Sequence, residues 1–71
     1  MPRFYFHVKR GQVTVLDQQG SEFADLSEAV EEAEGRAKMI ASKDALQGIS
    51  ANGRKIIIAD DAWRPVVELP F

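Results

Sequence analysis

Cysteine is missing altogether from this chain of 71 residues, and histidine, tryptophan and tyrosine occur once each. Without cysteine, neither a disulfide framework nor a Cys-based zinc site can brace the fold, and the lack fits a reducing compartment. A lone histidine cannot form a Cys–His pair, and a Ser–His pair would need a serine in a nucleophile motif. Ser21, Ser27, Ser42 and Ser50 fall instead in connectors, a cap or an exposed helix face. Gly11, Gly20, Gly48 and Gly53 are scattered, so there is no phosphate loop and no dinucleotide fingerprint. No apolar run approaches the roughly 20 residues of a membrane span, and Met1-Pro2-Arg3-Phe4 lacks the basic-then-apolar run of a secretion signal. A soluble cytoplasmic protein is the expectation. The formal charge of −2 lacks the basic excess of a dedicated nucleic-acid binder. Repeats, linkers and low-complexity segments are also missing, and the length allows one domain, 1–71. A chain this short buries about 60% of its unfolded surface, so association with a second copy is a natural way to bury more.

What the chain does have is a strongly patterned middle. Over Asp25–Gln47, Leu26, Val30, Ala33, Ala37, Ile40 and Ala41 fall on one arc at about 100° per residue. Glu28, Glu31, Glu32, Lys38, Ser42 and Lys43 occupy the other side, as in a one-faced amphipathic helix. Asp25 is placed to cap its first turn and Glu28 to reach back to the cap, while Gly48 is a natural stop. Gly35 lies on the polar side, at a cost of about 1 kcal/mol relative to alanine. Met39 lies off the stripe, half exposed.

Two pairs of strands flank the helix. In Arg3–Lys9, Phe4, Phe6 and Val8 alternate with Tyr5, His7 and Lys9, the period of a half-buried strand. Arg10-Gly11 supplies the turn, and Val13–Leu16 returns with Val13 and Val15 on the covered face and Thr14 and Leu16 opposite. Asp17-Gln18-Gln19-Gly20 is turn chemistry, Ser21–Ala24 an extended connector, and Phe23 tucks under the helix. After a loop closed by Asn52-Gly53, Lys55–Ala59 is apolar on both faces, as expected of a central strand. Asp60–Trp63 turns the chain into Val66–Leu69, with Val67, Leu69 and Phe71 on one face; Pro65 and Pro70 assign that strand to an edge. The predicted fold is α+β: a four-stranded antiparallel sheet in β-β-α-β-β order, spatial order 2-1-3-4, with one helix packed on one face.

The opening Met1-Pro2-Arg3-Phe4-Tyr5-Phe6-His7-Val8, the turn Asp17-Gln18-Gln19-Gly20-Ser21-Glu22 before an Asp25-capped helix, and the tail Leu69-Pro70-Phe71 carry a resemblance. They look like a family of small uncharacterised proteins common in alphaproteobacteria such as rhizobia. The resemblance spans nearly the whole chain and implies no catalytic residue. Trp63 departs from it, since a small residue or glycine is expected at that place in the last turn. The frequent Asp at the position of His7 in the family weighs against acid–base work. A looser likeness, of arrangement only, is to antitoxins that block small RNA-cleaving toxins.

Candidate chemistry is sparse. His7, whose unperturbed pKa would be near 6.5, is weighed as a general base and more readily as a surface or interface residue beside Tyr5. Asp60 with Asp61, and Asp17 with Glu22, read as turns rather than hard-cation sites, so no metal, cofactor or catalytic residue is assigned and the chain is not expected to be an enzyme. Arg3, Lys9, Arg10, Arg54, Lys55 and Arg64 lie on strands or their ends; a basic, aromatic face built from them and Tyr5, stacking single-stranded RNA, is the alternative nucleic-acid reading, set behind solvated strand ends. The uncovered sheet face is the more informative feature. Tyr5, His7, Leu16, Ile57 and Val66 form the expected interaction face, serving a homodimer or a protein partner. No membrane role is expected.

Overall fold

A computed structural model describes residues 2–48 and 53–71. Ser50 and Asn52, weighed above as a nucleophile and a loop-closing residue, lie outside the described residues. Alternation in the first stretch produces β1 (Arg3–Arg10), turned through Gly11 and Gln12 into β2 (Val13–Val15). Gly11 has φ +59°, the left-handed value that a two-residue hairpin of this kind demands at its first turn position. Then come β3 (Ser21–Glu22), α1 (Leu26–Leu46), β4 (Arg54–Ala59) and β5 (Pro65–Pro70). The sheet is antiparallel throughout, in the order β2-β1-β4-β5. The predicted α+β architecture and strand order are therefore present, with one addition. Ser21–Glu22 is not a plain connector but a fifth strand, pairing Glu22 with Arg3 and Ser21 with Phe4 on the same edge of β1 that β2 uses further along.

Phe4, Phe6, Ile56 and Ile58 form the buried sheet side of the core, and Ala29, Ala33 and Ala37 form the helix side. The alanine stripe has no bulk to hold the helix away from the strands. Leu26 is exposed rather than buried: the buried arc of the helix runs through positions 29, 33, 37 and 44 and does not include it. Phe23 packs beside Phe4 and Phe6, with ring centroids 6.3 and 5.7 Å away. Val13 and Val15 point to the helix side, opposite Arg10 and Val8, yet they are 63% and 61% exposed. The helix packs over β4 and β5 and does not extend over β2, so parity alone overstated their cover. Asp25 caps α1 by accepting from the Glu28 N–H at 3.0 Å. Glu28 reaches past the cap residue and accepts from the Ala24 N–H, one residue earlier than a standard capping box. Gly48, at φ +71°, follows the last turn.

Candidate functional site

Residues 5, 7 and 9 of β1 alternate away from the core onto the sheet face that α1 does not cover. Across the ladder, Tyr5 faces Ala59, His7 faces Ile57, and Lys9 faces Lys55; Ile57 in turn faces Glu68. This is the face that the sequence nominated, and the structure adds a residue to it that alternation could not supply. Trp63 folds back from the β4–β5 turn and stacks on Tyr5 at 4.6 Å between ring centroids and on His7 at 5.3 Å, with interplanar angles of 23° and 18°.

The turn explains how. Asp60 holds it closed: its carbonyl accepts from the Trp63 N–H at 2.9 Å, its N–H donates to the Arg64 carbonyl at 2.9 Å, and its Oδ1 accepts from the Ala62 and Arg64 N–H groups. Such a loop needs one residue with positive φ before the chain rejoins the ladder, a place where glycine is the strain-free choice. Trp63 occupies it at φ +63°, where no other described non-glycine residue has a positive φ. A bulky side chain there is a conformational outlier, and its indole is 47% exposed. Asp60 is thus a turn-former, as its sequence context implied.

His7 is only 7% exposed, a correction to the expectation of a surface histidine. Trp63 covers the ring, and the Asp17 N–H donates to Nδ1 at 3.0 Å. An Nδ1 that accepts leaves the ring proton on Nε2. Asp17 does more than close its own turn. Its Oδ1 accepts from the Gln19 and Gly20 N–H groups, and its Oδ2 accepts from the Phe6 N–H at 3.1 Å. That last bond fills the gap on the β1 edge between β2 and β3. Desolvation pushes the Asp17 carboxyl up, but the N–H groups of Gly20, Phe6 and Gln19 and the charge of Arg36 outweigh it and hold it below its ordinary value.

Of the nominated face, Tyr5 and Ile57 are half-buried, Leu16 and Val66 are exposed, and His7 is beneath Trp63. Lys55 pairs with Glu68 at the rim; that hydrogen bond, and the lysine's charge, hold the Glu68 carboxyl low. Arg3 is engaged by the Gln19 carbonyl and Glu22, and Arg64 lies by Asp60. On the helix side, Arg10 and Arg54 converge on the buried Asp44, with Arg10 Nη1 at 3.1 and 3.2 Å from its two oxygens and Arg54 Nη1 at 2.5 Å from Oδ2. The Arg54 bond, against desolvation and with help from Arg10, keeps the Asp44 carboxyl ionised below its usual range. No group of His, Asp and Glu side chains able to hold a metal ion occurs among the described residues, and no described helix is long and apolar enough to cross a membrane.

A family model described as "Domain of unknown function (DUF6894)" matches residues 3–71. Nothing matches among curated proteins or solved structures.

Proposed function

The chain belongs to DUF6894, a family of domains of unknown function, and because membership brings no activity with it, we propose a function read from the molecule itself: a small non-catalytic cytoplasmic domain of bacteria that self-associates through its open sheet face. One observation carries this reading. Trp63 is held in a backbone conformation that costs energy, and what the conformation achieves is a half-exposed indole lying flat over Tyr5 and His7. Strain kept where glycine would relieve it points to use. A central tryptophan and tyrosine, aliphatic Leu16, Ile57 and Val66, and a charged rim at Lys55 and Glu68 are the make-up of an interface with an aromatic anchor. A catalytic role for His7 is disfavoured by its surroundings, since Nδ1 already accepts from the Asp17 N–H and the ring lies under the indole.

Sedimentation equilibrium from one to a hundred micromolar tests the proposal, with the single tryptophan as a built-in fluorescence reporter. The expected result is a dimer whose Trp63 emission shifts to the blue as it forms, and a folded monomer for Trp63→Gly. A wild-type monomer throughout, or a Trp63→Gly chain that dimerises as well as the wild type, overturns it.

A further inference from the structure

Two adjacent cross-strand rows at one end of the β1–β4 ladder consist of like charges. Arg10 lies opposite Arg54 and Lys9 opposite Lys55, an arrangement that destabilises a sheet unless something intervenes. The arginine row is resolved: the Asp44 carboxylate sits between both guanidinium groups, within hydrogen-bond distance of each. On the opposite face the lysine row has no such bridge among the described residues. Glu68 bonds Lys55 from the edge strand and feels the charge of Lys9 as well, but among the described residues no carboxylate comes within ion-pair distance of Lys9.

These lysines open into a cleft of about 660 Å³ at the end of the sheet, whose walls are Lys9, Lys55, Arg54, Pro70, Phe71 and the Gly11 and Gly53 backbone. The chain as a whole is negative, yet the cations at this end outnumber Asp44 and Glu68. Pro70 and Phe71 form the apolar part of the wall, with the Phe71 ring stacked 5.0 Å from the Arg54 guanidinium. Asp44 shows what chemistry such a row accepts, an anionic group with two oxygens able to span two cations. We propose that the cleft binds a phosphate group between Lys9 and Lys55, with the organic part of a phosphorylated molecule lying against Pro70 and Phe71. A phosphate supplies the spanning oxygens and more charge than a carboxylate, and its hydrogen bonds to two ammonium groups are charge-assisted. The site shares Lys55 with the rim of the Trp63 face, but the lysine row lies two residues along the strands from His7 and Ile57, about 7 Å from the centre of that face.

The test is a titration of the full chain with inorganic phosphate, adenosine monophosphate and single-stranded oligothymidylate. Ionic strength is held constant with chloride, and the backbone amides of residues 9–11 and 53–55 are followed by NMR. Saturable shifts are expected with phosphate, together with a melting temperature higher than in matched chloride. Lys9→Gln is expected to weaken binding about tenfold, the loss of one hydrogen bond between charged groups. Lys9→Glu should abolish the phosphate response while raising the melting temperature in chloride, because it places an anion in the row. Tighter binding of adenosine monophosphate than of phosphate identifies a small phosphorylated ligand. Tighter binding of the oligonucleotide, falling steeply with salt, identifies a polymer backbone. Shifts that do not saturate, or an unchanged phosphate response in a folded Lys9→Gln chain, overturn the proposal. Trp63→Gly, expected to be a monomer, should still bind phosphate saturably and still lose that binding with Lys9→Gln, so that the two sites fail or succeed separately.

Discussion

At the scale of single residues, Trp63 and Asp17 each do a job that composition does not advertise. The left-handed backbone at Trp63 costs a side chain roughly 1–2 kcal/mol, while stacking on Tyr5 and His7 returns about 0.5–1.5 kcal/mol per aromatic pair. The two nearly balance, which makes a comparison of variants decisive. Trp63→Ala keeps the backbone penalty and loses the stacking; Trp63→Gly loses both. In urea unfolding the glycine chain should be the more stable of the two by about 1 kcal/mol, the reverse of the order that an ordinary helix or strand position gives. Equal midpoints would mean that the turn relaxes once the indole is gone. Asp17 carries a different prediction. Its carboxyl is held below the ordinary value in the folded chain, so the unfolded chain takes up the proton first as pH falls. The stability it contributes is complete above about pH 4–5 and is lost as pH drops through the folded value. Thermal melts from pH 7 to pH 2 should show that decline, and Asp17→Asn should remove part of its slope. Asp17→Ala, which strips the Phe6, Gln19 and Gly20 N–H groups of their acceptor, should cost about 1–3 kcal/mol at neutral pH.

Among the elements, α1 is held by contact more than by propensity. Its buried stripe is alanine, which favours close approach over bulk, and its exposed face carries Gly35, around whose would-be Cβ nothing lies within 4 Å. Gly35→Ala should therefore stabilise the chain by about 1 kcal/mol, raising its melting temperature by roughly 4–8 °C in a domain of this size. Calorimetry checks it, and an unchanged midpoint would show that the helix does not limit stability. The elements are largely legible in the sequence because periodicity reports burial over many residues. Phe4, Phe6 and Val8 announce β1, and the unbroken Ile56-Ile57-Ile58 run announces a strand with neighbours on both sides. What escaped detection had no period to read. Ser21–Glu22 is too short to alternate, and it becomes a strand through β1, which offers it unpaired edge positions beside Phe4. Val13 and Val15 had the right parity but no helix above them. Trp63 stands out in the sequence only as a misfit in a turn, and the reason lies in its φ. Asp44 did leave a signal: it follows Ala33, Ala37 and Ala41 on the same helical arc, where a charge signifies a buried partner rather than a solvated face.

For the molecule as a whole, that carboxylate is where separate parts of the chain are tied together. Asp44 stands in the last turn of α1, Arg10 ends β1, and Arg54 begins β4. Arg54 also donates from Nε to the Phe71 carbonyl at 3.3 Å, while the Phe71 N–H donates to the Arg54 carbonyl at 3.1 Å. One cluster thus links the helix end, two central strands and the end of the edge strand. In a core made of small alanines and a few large side chains, such a link decides whether the helix and sheet unfold as one unit. Asp44→Asn should leave the buried Arg54 without a counter-charge, an outcome more costly than never having the pair. Hydrogen exchange should then quicken together in the second half of α1 and along β5, while Glu34→Gln on the exposed face changes neither. The double variant Asp44→Leu with Arg54→Met supplies the contrast. It removes both buried charges, leaves Arg10, which is already partly in water, free to turn outward, and should recover much of the stability that Asp44→Asn loses. A double variant no better than the single one would mean that the ion pairs hold geometry that apolar packing cannot replace.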